Sequence, residues 1–270
     1  MQLERFREAK ASEIAALRKA LEHGELTPRP VERSDFLKAL TLGKTGLPAV
    51  IAEYKRASPS HGRICDALSV EDVALQYAEA GASALSILTE ERFFDGQISY
   101  LDRAKAALDR HGSALPLLRK DFLFDPVQVY ATARTAASAL LLIVRLTPDA
   151  HTLRQLRELA ESFGLHAVVE IFDAEDLALA RESGARLLQV NARDLETLTV
   201  DREACLRLAG SYPPKSTECW ICASGISAPE HLRAAADAGF SACLVGTALM
   251  QEGKPGQALS ELLGGCSRVD

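Results

Sequence analysis

Eight apolar runs of strand length recur along the 270-residue chain, at 49–53, 84–88, 115–119, 139–144, 166–171, 187–190, 219–223 and 242–245. Segments with helical periodicity separate them, at 70–80, 100–108, 126–135, 151–163, 174–183, 201–208 and 229–238. A near-continuous apolar strand is buried on both faces, so strands alternating with amphipathic helices predict a parallel sheet covered by helices. Eight such units without a large insertion favour closure. The expected fold is therefore α/β, a (β/α)8 TIM barrel, with an open doubly wound sheet as the alternative. Residues 1–270 fit one barrel domain of about 250 residues, with residues 1–46 as an N-terminal helical extension. Pro116 is tolerable because it falls at the start of its run. Ser69 before a helix and Gly81, Gly184 and Gly239 after three others stand where caps belong. In the extension, Leu3, Phe6, Ile14, Leu17 and Leu21 make an apolar stripe, followed by a short helix near 35–40, and the simplest role is a cap on the barrel bottom.

Composition narrows the ligand classes. A net charge of −6 argues against a general nucleic-acid binder, which would carry a basic stripe, yet it leaves room for local cations around an anionic small molecule. The longest apolar stretch, near 139–144, falls far short of the roughly 20 residues that span a bilayer, so no membrane partner is expected. The N-terminus turns charged at once and reads as an amphipathic helix and not as a secretory signal, which makes the cytoplasm the expected location. Six cysteines are scattered, and Cys219 and Cys222 lie three apart on a strand, pointing to opposite faces, so no metal site is expected. No helix face singles itself out for dimerisation, and a monomer is preferred.

With the strands placed, the distinctive residues fall at their C-terminal ends, where parallel α/β folds keep their chemistry. Glu53 and Lys55 close the first strand, Lys120 follows the third, Glu170 tips the fifth, and Asn191 and Arg193 follow the sixth. Each alone reads as a rim salt bridge. Together, lysines and carboxylates in one lumen would shift one another's protonation, as acid and base groups require. The last two strands end in Ser224-Gly225 and Gly246-Thr247, turns whose glycines let an anion approach backbone N–H groups, and Ser58 could add a hydroxyl to this phosphate site. Phe93, Phe94 and Phe122 lie in loops, where they either pack on the extension or wall an apolar pocket that Leu141 completes from within.

These motifs together resemble the indole-3-glycerol phosphate synthase family: 51–62, 88–96, 117–122, 141–144, Val169-Glu170-Ile171, 191–195, Ser224-Gly225-Ile226 and 244–250. The resemblance implies a lyase that converts 1-(2-carboxyphenylamino)-1-deoxyribulose 5-phosphate to indole-3-glycerol phosphate in tryptophan biosynthesis, releasing carbon dioxide and water without metal or organic cofactor. It implies Lys120 as general acid, Lys55 paired with the substrate carboxylate, Glu170 in the dehydration, Glu53 balancing the lysines and Asn191 on the substrate hydroxyls. Arg193, Ser58, Phe94, Phe122, Leu141, Ser224, Gly225, Leu244, Gly246 and Thr247 are the implied substrate-binding residues. In this family such an N-terminal extension helps to cover the mouth. Three positions depart from the family pattern: Ala223 where Glu is usual, Ala192 where a second Asn is common and His61 where Lys is common. Loss of the lumen carboxylate at 223 predicts slower turnover. Two competing readings are another phosphate-binding barrel, an isomerase or a Schiff-base aldolase using Lys120, and a non-catalytic binding relative.

Overall fold

The computed structural model describes residues 2–29, 31–41, 46–194, 197 and 199–264. Its parallel strands are β1 (Ala49–Tyr54), β2 (Ala84–Leu88), β3 (Leu117–Lys120), β4 (Ala139–Ile143), β5 (His166–Ile171), β6 (Leu187–Asn191), β7 (Cys219–Ala223) and β8 (Ala242–Val245). Each pairs with its sequence neighbours, and β8 returns to β1 from Ala49 opposite Ala242 to Ala52 opposite Val245. That last pairing closes the barrel and rules out the open sheet. Pro116 stands just outside β3, where only its carbonyl is needed, and that oxygen accepts from Leu85 N at 3.0 Å.

Alternation divides the strand residues between two cores. Val50, Leu140, Leu142 and Val169 face the helices, whereas Ile51, Leu118, Leu141, Val168, Ile221 and Leu244 fill the lumen. Cys219 belongs to the lumen and Cys222 to the helix-facing layer, which keeps the two thiols on opposite sides of β7. Helix ends follow the sequence signals: Ser69 accepts from Asp72 N, and Gly81, Gly184 and Gly239 adopt positive φ just past their helices. Among the described residues no helix is long and apolar enough to cross a membrane.

The extension does two jobs. Helix α2 (Phe36–Thr41) inserts Phe36 and Leu40 into the N-terminal end of the lumen, where Asp35 also meets His166 at the start of β5. Helix α1 (Gln2–Glu22) lies along the helix Pro126–Ala133 and carries Phe6 to the opposite end, its ring stacked 3.8 Å from that of Phe122. A buried ion network fastens α1 there. Lys10 Nζ stands 2.7 Å from both Asp121 Oδ1 and Glu13 Oε2, and Arg119 Nη2 reaches Asp121 Oδ2 at 2.9 Å. Burial alone would push the Asp121 carboxyl up, but Arg119 and then Lys10 hold it below its ordinary range.

Candidate active site

The C-terminal mouth of the barrel holds a cleft of about 880 Å³, the open solvent of its entrance included. From β1, Glu53 accepts from Lys55 Nζ at 3.1 Å through one oxygen and from Ser86 Oγ at 3.2 Å through the other. Gly246 packs so closely over this pair that a Cβ there would collide with the Glu53 carboxylate. Across the lumen, Lys120 Nζ from β3 lies 3.4 Å from Glu170 Oε2 on β5. The same Glu170 oxygen accepts from the side-chain amide of Gln189 on β6. Two ammonium–carboxylate pairs therefore face one space, each with the donors and acceptors that proton transfer needs.

On the adjacent wall, Asn191 Oδ1 accepts from Ser224 Oγ at 2.8 Å and from Arg193 N at 3.0 Å. Arg193 reaches Ser60 Oγ at 3.4 Å; burial pushes its guanidinium pKa down, and Glu53 acts in the opposite direction. Ser224 and Gly225 take consecutive left-handed conformations, with φ of +73° and +78°, which turn the chain sharply out of β7. A non-glycine residue in that region is held against its preference, a strain that clusters at functional sites.

Of the residues singled out in the sequence, Glu53, Lys55, Lys120, Glu170 and Asn191 all line the cavity, as do Ser58, Phe94, Phe122, Arg193, Ser224 and Leu244. Leu141 does not. It is fully buried one layer deeper, and Ile143, two residues further along the same face of β4, forms the wall instead. Nor are Gly225, Gly246 and Thr247 among the lining residues: Gly225 lies under the side chains of Val200 and Arg202, Gly246 against Glu53, and Thr247 begins a one-turn helix (Thr247–Met250). Phe93 and Phe94 are not in an irregular loop: they end a one-turn helix, Glu91–Phe94, whose N–H groups at Arg92, Phe93 and Phe94 are capped by the Glu90 carboxylate. Burial pushes the Glu90 carboxyl up, its backbone hydrogen bonds notwithstanding. Lining residues not anticipated as site residues include Phe6, Ser60, Glu90, Asp121 and Gln189. For Gln189 a signal existed, because strand alternation puts 187, 189 and 191 on one face.

A closed (β/α)8 barrel whose mouth gathers two lysine–carboxylate pairs, an arginine and the Ser224 turn after β7 is an enzyme fold equipped for an anionic small molecule. The family description for indole-3-glycerol phosphate synthase matches residues 3–262. The chain belongs to that family. An indole-3-glycerol phosphate synthase from Chloroherpeton thalassium is 41% identical over 256 residues, covering 92% of this chain and 94% of its own. Another, from Polaromonas naphthalenivorans, is 39% identical over 252 residues, covering 93% and 90%. Among solved structures, a 3-hexulose-6-phosphate synthase superposes with a TM-score of 0.63 at 16% identity, covering 80% of this chain and 98% of its own, a likeness of fold alone.

Proposed function

We propose that this protein converts 1-(2-carboxyphenylamino)-1-deoxyribulose 5-phosphate to indole-3-glycerol phosphate, and that Lys120 is the acid of its ring closure. The observation that carries the assignment of roles is the convergence of Lys120–Glu170 and Lys55–Glu53 on one cavity. The substrate brings a carboxylate and a phosphate, and the cations at this mouth suit both. Lys55, held by Glu53, pairs with the carboxylate; Ser58, Ser224 and Arg193 line the cavity where they can hold the phosphate end. Phe94, Phe122 and Leu244 wall the aromatic ring.

In the first step the ring carbon bearing the carboxylate attacks the ribulose carbonyl. A carbon–carbon bond forms, and the carbonyl oxygen takes a proton from Lys120. Carbon dioxide then leaves, and the electron pair of its broken bond restores the aromatic ring. In the last step the new hydroxyl departs with a proton as water while a proton is lost from the adjacent methylene, with Glu170 moving the protons and Asn191 holding the remaining hydroxyls. Placing charged groups where charge develops, in a cavity that needs no rearrangement, is the largest contribution such a site can make.

Incubation with the substrate tests this reading: indole fluorescence should appear with one carbon dioxide per product. Binding without fluorescence would mark a non-catalytic relative, and a borohydride-trapped adduct on Lys120 would mark Schiff-base chemistry instead.

A further inference from the structure

Gln189 stands on the lumen face of β6 and is fully buried, yet it lines the cavity. Its amide N–H donates to Glu170 Oε2, the oxygen that also meets Lys120. Its carbonyl Oε1 has no hydrogen-bond partner among the described residues. Turning the amide over cannot cure this. A carboxylate only accepts, so the NH2 must face Glu170 and the oxygen must face away. Buried acceptors are nearly always satisfied, and one left without a partner on a side chain that lines a ligand cavity suits a donor on the ligand. On β7, Gln189 is opposite Ile221 and diagonal to Ala223, two lumen residues without a polar side chain.

We propose that Gln189 is a further catalytic residue of the ring closure: its N–H fixes Glu170 beside Lys120, and its Oε1 accepts the secondary amine N–H of the substrate. The inference rests on the reaction proposed above. As the ring carbon attacks the carbonyl, the nitrogen lone pair is drawn into the ring and the nitrogen gains iminium character. Its N–H becomes a stronger donor at that moment, so an acceptor already in place favours the transition state over the ground state. No bond to Gln189 forms or breaks. The carbonyl oxygen receives its proton from Lys120, and loss of carbon dioxide returns the electron pair that makes the nitrogen neutral again. Glu53, Lys55, Glu90, Lys120, Asp121, Glu170 and Arg193 are the charged groups lining the cavity.

The test compares Gln189→Leu and Gln189→Glu with the wild type on the carboxyphenylamino substrate. Wild-type turnover is the control, because its absence would overturn the proposed reaction itself. With turnover present, Gln189→Leu should lower kcat about 10- to 100-fold, the effect of losing hydrogen bonds to charged groups, with KM within about threefold. Gln189→Glu keeps the size but sets a second carboxylate against Glu170. The two must share a proton, which raises the pKa at which Glu170 gives up its own, so the acid limb of the kcat–pH profile should move to higher pH. A side chain that does not touch Glu170 would leave that profile in place. If circular dichroism shows the Leu variant unfolded, the isosteric Glu variant decides. A folded Leu variant with kcat within about threefold of wild type, or a Glu variant whose profile superposes on it, overturns the proposal.

Discussion

Replacing Lys10 by Met removes the charge that ties the extension to the catalytic strand while keeping the aliphatic stem and its packing. Lys10 and Asp121 are buried 2.7 Å apart, and Asp121 follows Lys120 directly. Breaking a buried pair costs about 3–5 kcal/mol because the other charge is stranded. Asp121 would keep Arg119 at 2.9 Å, Thr89 Oγ1 at 2.5 Å and Phe122 N at 2.8 Å. The lower end, about 3 kcal/mol, is therefore expected. The sign with pH is fixed by the lysine. Burial would push its ammonium pKa down, but Asp121 and Glu13 outweigh burial and hold it above the ordinary value. A raised folded pKa stabilises fully below the unfolded value of about 10.4 and loses that contribution as pH rises through the folded value. Urea unfolding at pH 7 should thus record the whole loss, accompanied by a higher KM as α1 loosens and Phe6 leaves the cavity wall. A loss below about 1 kcal/mol, a surface-like value, would refute the network as the anchor of α1.

The partner carboxylate gives the opposite limb: Asp121 has a depressed pKa, so the stability difference between wild type and Asp121→Asn should shrink as pH falls below about 4, and a constant difference would count against it. Phe6→Ala removes a ring stacked on Phe122 and edge-on to Phe93; KM should rise about tenfold with kcat little changed, and an unaltered KM would remove Phe6 from the site. Ala223→Glu supplies a lumen carboxylate where the family resemblance implies one, and kcat/KM should rise about 3- to 10-fold. An unchanged or lower value would show that Ala223 is no handicap here.

Strand order and closure were legible because eight apolar runs have few other ways to bury both faces. The charged residues at the mouth were legible for the related reason that charge ending an apolar strand needs a purpose. Depth was not. Alternation says that Leu141 and Ile143 share a face, but only the tilt and stagger of the strands decide which reaches the cavity. Lys10 interrupts the α1 stripe and reads as a solvated lysine, since its partner Asp121 lies 111 positions away. Phe6 looked like a core residue of a bottom cap, and the division of the extension between α1 at the mouth and α2 at the base depends on loop geometry that no local pattern encodes. The one-turn helix holding Phe93 and Phe94 escaped because it is shorter than a helical period can reveal and depends on the Glu90 cap. Gln189 passed as a polar interruption of an apolar run, and its significance came from the orphaned oxygen.

The account turns on a proton delivered by the Lys120 ammonium to a carbonyl held against the Lys120–Glu170 pair. Turnover of the carboxyphenylamino substrate by Lys120→Met, followed by indole fluorescence, measures that directly. The account predicts a kcat at least about 100-fold below wild type, the usual contribution of a positioned acid, with substrate still bound. A variant that retained more than about a tenth of wild-type turnover would mean that the proton comes from elsewhere.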